Sequence, residues 1–159
     1  MLGAHFAITP EQERALHAAE DAGEIDEFVG ELEESWSEDR LKVDSDKAWD
    51  AIHRCLSDGM PHHGDGGYPL SHTILGGRHL HDEHHVVHIT AAQVSDVSAA
   101  LERVDRAWFR RRFDAIDDTG YGGALDDADF AYTWDNVVDI RDFFRRATAA
   151  RRAVLFTAT

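Results

Sequence analysis

The chain of 159 residues holds a single cysteine, three prolines and only 16 lysine and arginine residues. Each scarcity excludes something. With Cys55 alone, no intrachain disulfide can form, which suits a reducing compartment. No apolar run approaches the roughly 20 residues that a membrane helix requires. Residues 1–12 carry no basic segment leading into a long apolar core, so a secretory leader is not expected. A soluble, cytoplasmic protein is the expectation. The few basic residues stand against 31 acidic ones, for a formal net charge of −15. Such a surface repels nucleic acid phosphate and anionic lipid, which argues against both as partners and favours a basic protein partner. The plainer reading of the same charge is solubility.

What is present is enough for one domain spanning residues 1–159. A chain of this length buries roughly 70% of the surface its unfolded form exposes, so neither a metal nor a disulfide is needed to fold it. No cofactor is expected.

Residues 2–8 read as a short strand. Thr9, Pro10 and Gln12 then supply a capping box with proline at the first helical position, and Gly23 is expected to stop that helix. Ile25, Phe28, Val29 and Leu32 mark one face of a second helix, opposite a stripe of Glu24, Glu27, Glu31 and Glu34. A third helix is expected after Ser45 or Asp46 as cap, with Ala48, Trp49, Ile52, Cys55 and Leu56 buried and Gly59 ending it. Residues 62–67 form a loop by composition, and residues 70–75 fit either a strand or a short helical turn. The β-branched run at Val86, Val87 and Ile89 predicts a strand over 84–89. Thr90 and Gln93 repeat the capping box ahead of another helix. Residues 108–113 read as helical, and residues 117–129 as a loop. A last helix is expected from an Asp135 cap, followed by a strand at 153–157. The sum is an α+β fold, with about six helices on a small sheet of three or four strands, the chain ends meeting in that sheet.

Eleven histidines are present, and five of them, His79, His81, His84, His85 and His88, fall within ten residues. On a helix, four of these would make a zinc-binding stripe. On a strand they cannot converge: His84 and His88 share a face yet stand about 13 Å apart at a rise near 3.3 Å per residue. A metal site would then need a histidine from elsewhere, such as His62, His63 or His72. Protonating all 11 would bring the formal charge from −15 to −4, so the chain is also a candidate for pH sensitivity.

His53 borders the buried stripe of its helix, where a polar ring must find partners. A structural histidine bonded to backbone is the favoured reading, and an acid/base group facing a cleft over Gly76 and Gly77 is the functional one. Cys55 lies on the apolar side and reads as core. Gly76-Gly77 lacks the lysine of a P-loop and the third glycine of a dinucleotide fingerprint, which leaves a turn. Arg110, Arg111 and Arg112 suggest ion pairing before anion binding. The aspartates from Asp114 to Asp129 lack the spacing of an EF-hand.

The run Asp46-Lys47-Ala48-Trp49-Asp50-Ala51-Ile52-His53 followed by Leu56 resembles the D-K-x-W-x-x-(I/L)-H-x-x-L segment of the YfbM-like family, small bacterial proteins carrying a domain of unknown function. Pro69-Leu70 with Ile74-Leu75-Gly76-Gly77, Ile89-Thr90 with Val94 and Leu101, and Phe143-Phe144 with Ala147, Val154 and Leu155 are similar to further segments of that family. Tyr132-Thr133-Trp134 lacks the proline of the family's aromatic-proline-tryptophan step, and the histidine-rich segment from His79 to His88 lies outside the pattern. The resemblance implies an α+β domain and no known activity or catalytic residue. Trp49, His53, Gly76 and Gly77 become candidates for a ligand pocket because the match is strongest there.

The functional expectation is therefore a non-enzymatic binding protein that presents an acidic surface to a basic protein partner, immunity- or inhibitor-like by analogy. The alternative is a small-molecule or metal-binding protein, or a hydrolase, with a pocket near His53 and the Gly76-Gly77 step.

Overall fold

A computed structural model describes residues Met1–Thr159. Its centre is a five-stranded sheet in the order β2-β1-β5-β4-β3, every neighbouring pair antiparallel. The strands are β1 (Gly3–Ile8), β2 (Lys42–Asp46), β3 (Arg78–His79), β4 (His85–Ile89) and β5 (Ala153–Ala158). Strand β1 pairs with β5 over six residues, from Gly3 opposite Ala158 to Ile8 opposite Ala153, so the chain ends do meet in the middle of the sheet.

Six helices cover both faces. They are α1 (Pro10–Ala18), α2 (Ala22–Ser35), α3 (Ala48–Leu56), α4 (Ala91–Leu101), α5 (Arg106–Asp114) and α6 (Asp127–Ala149). The period of two along each strand divides the core. Phe6, Ile8, Val86 and Leu155 face α1 and α2, where they meet Leu16, Ile25, Val29 and Leu32. Ala7, Val87, Ile89, Val154 and Phe156 face the larger layer built by α3 to α6. In that layer Phe109, Phe113, Phe130, Phe143 and Phe144 are all fully enclosed. Each such side chain contributes about 1.5–3 kcal/mol relative to leaving it in water.

Both capping boxes form as the sequence predicts. Thr9 accepts from the Gln12 amide and Gln12 reaches back to the Thr9 amide, and Thr90 and Gln93 do the same. Four expectations are corrected. The sheet has five strands, because 42–46 forms an edge strand in which only Ser45 is buried and which so carries little apolar alternation. Ser45 and Asp46 consequently belong to that strand, and α3 starts after Lys47 with no side-chain cap. Asp46, at φ +47°, makes the bend between the two elements. Gly23 does not stop α1, which ends at Ala18. It lies instead in the first turn of α2, capped by Asp21. Finally, α6 begins eight residues before Asp135, at Asp127, capped by Asp126. The open choice over 70–75 resolves as a short 3₁₀ turn at Leu70–Thr73. Helix α3 ends at Leu56, and Gly59, at φ +95°, lies in the turn beyond.

Candidate functional site

His53 is completely buried, and both ring nitrogens are engaged. Nδ1 accepts from the Leu75 amide at 3.4 Å, which leaves the proton on Nε2 to be donated to the His62 carbonyl at 2.9 Å. Burial moves its pKa below the ordinary histidine value. The ring thus ties α3 to the loop before the 3₁₀ turn and to the approach to β3. It faces no cleft in this structure, and it has no free nitrogen for acid/base work.

Gly76 and Gly77 serve that same approach. A Cβ on Gly76 would stand 2.5 Å from the Ser71 carbonyl oxygen, and one on Gly77, at φ +113°, 2.6 Å from Ile89 Cγ2. The pair lets the chain pass against the 3₁₀ turn and β4. Trp49 is mostly buried against Phe156 and His85, with Nε1 donating to the Met1 carbonyl at 3.3 Å. The four residues do not line one pocket. Trp49 borders a recess beside α3, whereas Gly77 borders a different cleft.

The recess beside Trp49 encloses about 550 Å³. Its walls are aromatic and acidic: Trp49, Tyr121 and Tyr132 alternate with Asp46, Asp50 and Asp129, and Lys47 is the basic side chain in the lining. The tyrosines hold two carboxylates in place. Tyr132 Oη donates to Asp46 at 2.8 Å, and Tyr121 Oη donates to Asp129 at 3.0 Å. Burial and the Asp129 carboxylate push the Tyr121 hydroxyl well above its ordinary pKa, so it remains a donor. Asp50 accepts from Arg54 Nε at 2.6 Å. Of these residues the sequence placed only Trp49 in a candidate pocket; Tyr121, Tyr132 and Asp129 join it because folding brings the start of α6 and the loop before it beside α3.

The five clustered histidines separate as strand geometry requires. His79 Nε2 donates to the Leu75 carbonyl at 2.9 Å, while His63 packs on its ring with centroids 4.2 Å apart. His85 lies against Trp49. His81 Nδ1 accepts two backbone amides, so Nε2 carries the proton and faces Asp26 at 3.3 Å. His84 stacks on His81. The set does not converge on one point. His88 instead meets two residues of α1 that the sequence reading did not select. Its Nε2 lies 2.6 Å from a Glu13 carboxylate oxygen, and its ring meets His17 edge-on with centroids 4.6 Å apart. Glu13 and His17 are four residues apart on one helix, so they project from the same face. That spacing was readable in the sequence; the strand to which it would dock was not.

A polar cleft of about 680 Å³ opens beside His17 and His88, with no hydrophobic side chain in its lining. Arg78, opposite His88 in the β3–β4 register, shares its face and approaches His17 Nδ1 to 3.5 Å.

The remaining candidates are structural. Cys55 is buried and its thiol is pushed up to about 12 by burial. Arg110 pairs with Asp114 and Asp127, as ion pairing predicts, while Arg112 reaches back to the end of α3. Asp126 caps α6, Asp117 holds the Thr119 amide and Asp129 holds the Leu125 amide.

Comparison with known proteins agrees with this architecture. A crystal structure of YfbM from Escherichia coli, described as a protein of unknown function, superposes with a TM-score of 0.76 over 100% of both chains at 20% identity. At that identity the likeness establishes the fold alone. No curated protein matches the chain. The family model described as "Domain of unknown function (DUF1877)" matches residues 1–157, nearly the whole length. The α+β sheet with helices on both faces and the matched span together agree with the resemblance read from the Asp46–Leu56 segment: the chain belongs to the DUF1877 family, to which it is related across almost every element of the fold.

Proposed function

We propose that the protein is a non-enzymatic binding protein that takes up a cationic group of a basic protein partner in the recess beside Trp49. The observation that carries this reading is the pairing of aromatic faces with carboxylates in one cavity. Trp49, Tyr121 and Tyr132 line the recess with aromatic rings, the Tyr121 ring already receiving the Arg54 guanidinium, while Asp46 and Asp129 hold carboxylate oxygens fixed by hydrogen bonds. A lysine ammonium or arginine guanidinium gains from both, through cation–π attraction and charge-assisted hydrogen bonds. The overall charge of −15 adds long-range attraction for a basic surface. Lys47 at the edge would select against a second cation or favour a partner that also offers a carboxylate.

The test is a pull-down with tag-free protein at low and high salt, with Asp46→Asn alongside. Basic proteins retained at low salt, released as the Debye length contracts, and weakened by Asp46→Asn support the reading. A partner set without basic proteins, unchanged by salt, would sink it. Quenching of Trp49 fluorescence by a lysine-rich peptide, absent with a glutamate-rich one, gives an independent readout.

A further inference from the structure

We propose that Glu13, His17 and His88 form a binding site for a divalent transition metal ion such as zinc, with one coordination position open to the polar cleft. One ligand atom from each of the three residues lies within 4.8 Å of the other two. Two imidazoles and a carboxylate form a donor set well suited to zinc, whose nitrogen and oxygen bonds run about 2.0–2.2 Å. Tetrahedral ligation at such lengths separates the donors by roughly 3.4 Å. The His88–Glu13 pair at 2.6 Å must therefore widen by less than an ångström, and His17 must swing inward. Neither movement is obstructed by packing on the α1 side: Glu13 is half-exposed and His17 exposed, so both can change rotamer.

The third donor is the rigid one. His88 is 4% exposed and held in β4 between Arg78 and Leu155 by strand pairing. A fixed ring thus faces two adjustable donors, and two of the three, His17 and His88, also line the wholly polar cleft, from which a fourth ligand would reach the ion. Three protein donors with a vacant fourth position distinguish zinc sites that bind an exchangeable water or ligand from closed structural ones. Arg78 on the same face carries a positive charge that would attract an anionic group toward that position. The Glu13 carboxylate, itself one of the donors, opposes the repulsion between Arg78 and the incoming cation.

This site is separate from the recess beside Trp49. It draws on Glu13 and His17, which lie outside the histidine-rich segment, and on the one histidine of that segment that reaches them.

The experiment is titration of metal-free, tag-free protein with Zn²⁺ and Co²⁺, followed by calorimetry, visible absorption and melting temperature. The expected result is one equivalent bound, a Co²⁺ spectrum of low coordination number, and a melting temperature that rises with Zn²⁺. His17→Ala is the principal variant because an exposed residue can be truncated without unfolding the chain. Without metal it should melt as the parent does, and it should bind Zn²⁺ at least about tenfold more weakly, since even loss of an outer-shell partner costs 10–100-fold. Glu13→Gln should weaken binding too while preserving a hydrogen bond to His88. His63→Ala, which removes a histidine of the cleft that is not a donor, should bind as the parent does. Absence of Zn²⁺ binding would overturn the proposal. So would binding that survives His17→Ala and Glu13→Gln unchanged, because the ion would then reside on other histidines.

Discussion

His5, in the middle of β1, donates from Nε2 to the carbonyl of Thr73, 68 residues away, at 2.8 Å. The ring is fully enclosed among Phe143, Phe144 and Phe156, and its Nδ1 has no partner. Burial lowers its pKa from 6.5 to about 4, against a smaller opposing effect of the Thr73 hydrogen bond. The unfolded chain therefore takes up a proton near pH 6.5 that the folded chain refuses until about pH 4. Stability is unaffected by this group above pH 6.5, declines as pH falls between the two values, and levels below the lower one. The difference corresponds to about 3 kcal/mol in total. His53, His79, His85 and His88 are shifted the same way by burial, so they steepen the decline. Urea midpoints between pH 7 and pH 4 should show it, with a shallower slope in His5→Gln. A slope identical in the two proteins would disprove the assignment to His5.

Arg112 closes the end of a different helix. From α5 its Nε donates to the Cys55 carbonyl at 2.8 Å and its Nη2 to the Ser57 carbonyl, two acceptors that the end of α3 leaves without helical partners. The positive charge also complements the helix dipole. Arg112→Ala should cost about 1–2 kcal/mol, given the worth of hydrogen bonds from charged donors at a partly exposed site. Arg112→Lys should recover only part of this, because an ammonium lacks the planar fork that spans two carbonyls. Chemical denaturation of the three proteins checks the order.

These two contacts also mark where sequence reasoning reaches its limit. The Thr9–Gln12 and Thr90–Gln93 boxes were legible because all their partners lie within four residues. The pairing of the chain ends was legible because β1 and β5 are short apolar runs bounded by turn residues. Strand β2 was not, since Lys42, Asp44 and Asp46 make an edge whose exposed face reads as loop. The start of α6 was missed because Tyr132, Thr133 and Trp134 are weak helix formers, and the Asp126 cap together with the packing of Phe130 and Thr133 into the core holds that first stretch helical. The candidate site divides in the same manner. Trp49 and His53 were visible from helical periodicity. Glu13 was not, because its relation to His88 exists only once α1 lies across β4.

Cys55 should behave as an inert core thiol. It is 1% exposed, and its pKa of about 12 leaves almost no thiolate at neutral pH. Disulfide-exchange reagents should label it in the native protein no faster than the chain opens, and fully in urea. Rapid labelling under native conditions would show that α3 detaches easily from α5 and α6, contrary to the packing described.

Gly77 offers the sharpest test of the step into β3. At φ +113° the backbone occupies a region that side chains strongly disfavour, and an added Cβ would also stand 2.8 Å from the His88 carbonyl oxygen. Gly77→Ala therefore meets two costs, of which backbone strain alone amounts to about 1–3 kcal/mol. The neighbour cannot yield cheaply, because His88 belongs to β4 and is hydrogen-bonded within the sheet. Gly67→Ala is the matched control: no atom lies within 4 Å of its Cβ position, and its φ is outside the left-handed region. Denaturation should show a large loss for Gly77→Ala and almost none for Gly67→Ala. Equal stability of the two variants would mean that the Gly76-Gly77 step is not held in this conformation, and with it would go the register that sets Arg78 opposite His88.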